Sequence, residues 1–246
     1  MEMSGEALRA RLERDGVVLL RGLFAREPLT RLRGAASRCF AAIEDGRAVP
    51  QHYRFIPQAH SVLVTALLDF GIESEEALVA PLCAEGLDKT DGLDEMFSGL
   101  VGGRWRCRLE HSWVRKKFAP RNAPGAGYQL QDWHQDGALG ARFPLEPGPM
   151  IPATNLATCW IPVNACGRES PGLEFILKPQ RALLHFTELD DAVLRQRFDA
   201  SAFWAPELEF GDGLVFRNDI LHRTHVDAEM RGDRMSVEYR IFPEKP

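Results

Sequence analysis

The stretch 234–242 near the C-terminus constrains the fold most. Met235, Val237, Tyr239 and Ile241 alternate with Arg234, Ser236, Glu238 and Arg240. A period of two belongs to a strand, whose successive side chains leave opposite faces. One face is apolar and must be covered, and the other is polar throughout. Arg234 and Ser236 therefore point the same way. The same period begins after Gly102-Gly103, where Trp105, Cys107 and Leu109 alternate with Arg106, Arg108 and Glu110. Segments 156–163, 173–177 and 214–216 read as further short strands, with Pro, Gly and Asp between them. Gly211-Asp212-Gly213 is a turn signal before the third. Strands this short and regularly punctuated predict a sandwich or barrel.

The first hundred residues follow a different rhythm. Leu8 and Leu12 share a helical face that Ser4 can cap and Asp15-Gly16 ends. Val17–Leu20 is strand-like. A helix is expected from near Pro28, with the stripe Leu29, Leu32, Ala36, Phe40 and Ile43, stopping at Asp45-Gly46. Helical pieces are also expected over 62–68 and 74–80. One domain over 1–246 results: a mainly helical part over 1–100, packed on a β core over 101–246.

Composition excludes several classes. Apolar residues make up 45% of the 246, enough for a sizeable core, and the formal net charge is −5. No basic field favours nucleic acid, and no apolar run is long enough for a membrane span. Residues 1–14 lack the apolar core of a signal peptide. The five cysteines, 39, 83, 107, 159 and 166, are odd in number and scattered. That suits reduced thiols in the cytoplasm, with neither a disulfide frame nor a zinc site.

Chemistry concentrates in Trp133-His134-Gln135-Asp136-Gly137 and in Leu221-His222-Arg223-Thr224. His134 and Asp136 are two residues apart, so an extended backbone projects both to one side, with Gln135 pointing away. A third ligand must come from a remote strand, and His222 and His225 both qualify. One carboxylate and two imidazoles form the ligand set of a mononuclear iron(II) site with an open face. Arg234 and Ser236 add a guanidinium and a hydroxyl. Buried together, they suit a carboxylate held bidentately, such as the distal end of 2-oxoglutarate.

These words together resemble the phytanoyl-CoA dioxygenase family of iron(II)/2-oxoglutarate oxygenases. The likeness extends to the run 15–24 and to Cys159-Trp160-Ile161-Pro162-Val163, Ser170-Pro171-Gly172-Leu173-Glu174-Phe175 and Gly211-Asp212-Gly213-Leu214-Val215-Phe216. It is weakest over 51–100. The resemblance implies a double-stranded β-helix, the cupin-like jelly roll, with helices buttressing one sheet. It implies His134, Asp136 and His222 as iron ligands. Arg234 and Ser236 would bind the cosubstrate, and Gln135 and Trp160 would line its pocket. Iron(II), 2-oxoglutarate and dioxygen would oxidise an unactivated C–H bond of a small organic substrate, releasing succinate and carbon dioxide. A carboxylate at 136 argues against halogenation. Two departures stand out: His225 shortly after the distal histidine, and a slightly long interval from His222 to Arg234.

Two other functions compete: a cupin-type metalloenzyme that needs no 2-oxoglutarate, and a non-catalytic jelly roll that binds a small molecule. Three further features carry no role at this stage. Arg240 and Glu238 share Arg234's parity and read as structural. The run Arg115-Lys116-Lys117 reads as a solvated strand end that could also guide an anionic substrate. Residues 121–128 and 143–154, rich in proline and glycine, read as mobile lids.

Overall fold

A computed structural model of the chain describes residues 5–56, 58–82, 91–125, 127–130, 132–143 and 151–244. Helix α1 (Gly5–Asp15) leads into strand β1 (Val17–Leu20), and helix α2 (Arg26–Glu44) follows. The turn between α1 and β1 requires glycine. Gly16 has φ +80°, and a Cβ there would lie 2.5 Å from the Ile220 side chain. Helix α2 begins two residues before Pro28 and ends where Gly46 turns left-handed at φ +66°. Its face of Leu29, Leu32, Ala35, Ala36, Cys39 and Phe40 is buried. Each such leucine or phenylalanine contributes about 1.5–3 kcal/mol.

Two short strands come next, β2 (Arg54–Ile56) and β3 (Ala59–Leu63), then helices α3 (Glu75–Val79) and α4 (Asp91–Val101). The β core contains β4 (Trp105–Cys107), β5 (Trp113–Lys117), β6 (Ala157–Pro162), β7 (Gly172–Ile176), helix α5 (Asp191–Arg197), β8 (Phe203–Trp204), β9 (Gly213–Arg217), β10 (His222–His225) and β11 (Arg234–Pro243). An eight-stranded antiparallel sheet runs β1-β9-β6-β11-β5-β3-β2, with β4 also on β11. A three-stranded sheet runs β10-β7-β8. Together they form the expected jelly roll as two facing sheets; the barrel does not close.

The large sheet separates two cores. Its outer face, with Val114, Cys159, Ile161, Val215, Val237, Tyr239 and Ile241, packs against α1, α2 and α4. This is the helical buttress. Its inner face packs Trp160, Leu214 and Phe216 against Leu173 and Phe175 of β7. The alternation of β11 is as read: the apolar set faces the helices, and Arg234, Ser236, Glu238 and Arg240 turn into the space between the sheets.

Three local expectations need correction. Val62 and Leu63 belong to β3, and the helical turn begins only at Val64. All five β3 residues are buried, so the strand shows no alternation to betray it. Leu109 lies in a 3-10 turn after β4. The run 115–117 is no solvated strand end, because β5 lies between β3 and β11 and Lys117 is buried. Ser4, Cys83 and residues 144–150 lie outside the described residues. The other four cysteines are free thiols.

Candidate active site

His134 reaches the site through an isolated bridge to β10. Its backbone N–H donates to His222 O at 3.0 Å, and His222 N–H donates to His134 O at 3.1 Å. Two remote segments thus hold their imidazoles side by side, with ring centroids 4.2 Å apart. Gln135 is extended, and a 3-10 turn begins at Asp136. Gly137 lets that turn tuck in, since a Cβ there would lie 2.8 Å from Asn218 O. Ligand atoms of His134, Asp136 and His222 all lie within 4.8 Å of one another. On β10, His222 and Thr224 turn inward. His225 has the opposite parity, so it is not the third member.

Hydrogen bonds orient each group toward a common point. The Nδ1 of His134 lies 2.9 Å from Asp132 O, and that of His222 lies 3.2 Å from Ile220 O. A carbonyl only accepts, so each Nδ1 carries the proton and each Nε2 keeps its lone pair for a metal. Burial and neighbouring His134 bring His222 down to about 4, which leaves it neutral at physiological pH. Asp136 Oδ2 accepts from the Thr158 hydroxyl at 2.6 Å, and Oδ1 accepts from Arg240 Nη2 at 2.8 Å. Burial alone would raise the Asp136 carboxyl; the charges beside it, Arg240 foremost, outweigh that and hold it below its ordinary range. It is therefore an anion ready to bind a cation.

Arg240 and Glu238 are more than framework. Arg240 also donates to Thr158 at 2.7 Å and pairs with Glu238. Glu238 accepts from Arg115 Nε at 2.7 Å. The chain Arg115–Glu238–Arg240–Asp136 is buried or nearly so, and it compensates its own charges. Arg240's parity with Arg234 was the sequence signal that could have found it. Thr158 shares the parity of Trp160 on β6 in the same way.

Beyond the histidines lies a chamber of about 340 Å3, its mouth included, lined by Arg234, Trp160, Leu173, Phe216 and Thr224. Arg234 is 3% exposed and donates Nη1 to Gly172 O at 3.1 Å. Its guanidinium carbon lies 5.2 Å from the centre of the Trp160 ring. Burial brings it down to about 10, so it stays a cation. Arg234 Nε and Ser236 Oγ are buried and have no hydrogen-bond partner among the described residues. Buried donors left unmet cost about 1–3 kcal/mol each, so this pair awaits an acceptor. A carboxylate fits both.

Gln135 is placed elsewhere. Its amide donates to Ala182 O and Asp219 O and accepts from Leu184 N–H. All its polar atoms thus brace loops behind the triad, and it does not line the Arg234 chamber. Trp160 does line it. On the other side of the triad, His134 and Asp136 border a second, open cavity of about 1440 Å3, mouth included. Arg54, His111, Trp113, Arg115 and Leu139 form much of its wall.

Two facing antiparallel sheets with a His-Asp-His cluster and a buried cation between them define a metal-dependent jelly roll. The family model for phytanoyl-CoA dioxygenase (PhyH) matches residues 12–227, and the chain belongs to that family. Membership makes it a non-haem, iron(II)- and 2-oxoglutarate-dependent oxygenase. No curated protein sequence matches the chain. Among solved structures, EctD from S. alaskensis with bound Fe is similar. It is 16% identical, over 100% of this chain and 82% of that one, with a TM-score of 0.65. AviO1 from Streptomyces viridochromogenes Tue57 is 16% identical over 100% and 98%, with a TM-score of 0.64. The epimerase SnoN in complex with Fe3+, alpha ketoglutarate and nogalamycin RO is 15% identical over 97% and 83%, with a TM-score of 0.63. At these identities the likeness is one of fold. No described helix is long and apolar enough to cross a membrane.

Proposed function

We propose that His134, Asp136 and His222 hold the iron of this oxygenase, and that Arg234 and Ser236 hold the distal carboxylate of 2-oxoglutarate. The observation that carries the assignment is the orphaned pair on β11, Arg234 Nε and Ser236 Oγ, beside a chamber that Arg234 lines together with His134 and His222. When bound, iron and 2-oxoglutarate supply the oxidising chemistry that attacks a C–H bond. The chain supplies the rest. The Nδ1–H bonds of the two histidines aim their Nε2 atoms, and Thr158 and Arg240 fix both oxygens of Asp136. Trp160, Leu173 and Phe216 keep water from the inner chamber. The open cavity beside Asp136 is the route for the primary substrate, a small organic molecule. Free thiols suit a reducing compartment, and we place the enzyme in the cytoplasm.

Anaerobic titration with iron(II) and 2-oxoglutarate tests the assignment. A visible charge-transfer band is expected; it should be absent in His134→Ala, and in Arg234→Ala it should need about a hundredfold more 2-oxoglutarate to form. Iron binding without any band would point to a metalloenzyme independent of 2-oxoglutarate.

A further inference from the structure

The substrate cavity has a charge pattern of its own. Arg54, Ser61, Arg115 and Ser236 occupy one cross-strand row over β2, β3, β5 and β11. Residues directly opposite in a sheet share a face. This row therefore crosses the inner face, beside the row of Lys117 and Arg234. Lys116 turns the other way and binds Glu44 at 2.5 Å. Two members of the basic run 115–117 thus face the site, and one does not.

The inner face and cavity walls carry four arginines, Arg54, Arg115, Arg234 and Arg240, against three carboxylates, Glu110, Asp136 and Glu238. Iron(II) and the 2-oxoglutarate dianion add equal and opposite charge, so the positive surplus persists in the loaded site. Arg240 and Arg115 are already engaged by Asp136 and Glu238. Arg54 is different. Its guanidinium carbon lies 5.1 Å from the centre of the Trp113 ring, while Arg115 approaches the same ring at 5.7 Å. Among the described residues no carboxylate pairs with Arg54. A guanidinium laid on an aromatic ring is oriented but keeps its donor edge free. Between β2 and β11 lie three strand spacings, about 14 Å. That distance suits an acid whose reacting carbon is several bonds from its charge.

We propose that the primary substrate is an organic acid whose carboxylate docks on Arg54 against Trp113, placing a remote C–H bond over the triad. The proposal rests on the triad being the iron site. It names a specificity residue, Arg54, on an edge strand where substitution leaves the buried network intact.

The test uses matched probes, 4-phenylbutanoate with 4-phenylbutanamide and octanoate with octanamide. They are titrated into the anaerobic iron–2-oxoglutarate protein, read by its visible band, and into the metal-free protein, read by tryptophan fluorescence. Each carboxylate is expected to half-saturate at least about tenfold below its amide. Arg54→Gln should remove that preference by weakening the acids and leaving the amides unchanged, and Arg54→Lys should keep part of it. Acids that bind no better than amides, including no binding by either, overturn the proposal, as does a preference that survives Arg54→Gln. If no visible band forms, the iron and cosubstrate assignment fails, while the fluorescence arm still decides the role of Arg54.

Discussion

The two chambers beside the triad share one sheet and satisfy their polar groups in opposite ways. The inner chamber is small and walled by Trp160, Leu173, Phe216 and Arg234, and on β11 beside it Arg234 Nε and Ser236 Oγ are buried with no partner among the described residues. The outer cavity is wide, and its arginines on β5 and β11 are already tied to Glu238 and Asp136. Unmet buried donors select one acceptor strongly, because any ligand lacking it leaves them unpaired. Donors already met select weakly. The inner chamber is thus built for an invariant partner, and the outer one for a partner chosen by shape and by the free cation at its rim.

Removing the inner cation should have the largest effect on this contrast. Arg234→Ala is expected to raise the half-saturating 2-oxoglutarate concentration about a hundredfold, the loss of a charge-assisted pair. Iron(II) affinity measured without cosubstrate should stay within about twofold. Parallel loss of both would mean that the chambers are not separable. Arg240→Leu should act on the wall between them. With Asp136 no longer gripped, iron(II) affinity against a competing chelator should fall about 10–100-fold. Unchanged affinity would reduce Arg240 to framework. Ser236→Ala is smaller: about a fivefold rise in half-saturating cosubstrate, with iron affinity untouched.

The smallest effect on turnover is expected at Lys117, where the readout is stability. Burial, then Arg234 and Arg115, bring this ammonium down to about 7. Below that pH the folded protein carries a charge its site opposes. Above it, the folded state has released the proton while the unfolded chain still holds it, so folding becomes more favourable as pH rises toward the ordinary lysine range. Lys117→Met carries no such charge. Its stability advantage over the wild type should be greatest below pH 7 and shrink above it, as denaturant midpoints at about pH 6 and pH 9 would reveal. An advantage independent of pH would leave only a packing effect.

Legibility in the sequence followed exposure. β11 was readable because one face meets helices and the other meets charge, so its pattern survives. The triad was readable because His134 and Asp136 are neighbours and His222 has a recognisable setting. β3 was not, because both of its faces are covered and five buried residues carry no period. Lys117 misled because a basic run resembles a solvated end; that β5 sits between β3 and β11 depends on pairings between residues 50 to 125 positions apart. Gln135 misled differently. Its position beside the ligands suggested a cosubstrate contact, whereas its amide is spent on Ala182, Leu184 and Asp219. Arg54 gave no sign at all, since its meaning comes from Trp113, far along the chain.

The rung between His134 and His222 also acts as a check on assembly. A slip of one residue reverses every side chain on a strand. Were β10 displaced by one position against residue 134, Arg223 would stand where His222 now points, and a cation would face the metal. Such a chain could offer iron two ligands at most. Because a ligand stabilises only the state that binds it, iron adds stability to the correctly paired chain and withholds it from the slipped one. The metal we assign to this cluster thereby proofreads the pairing of residue 134 with β10.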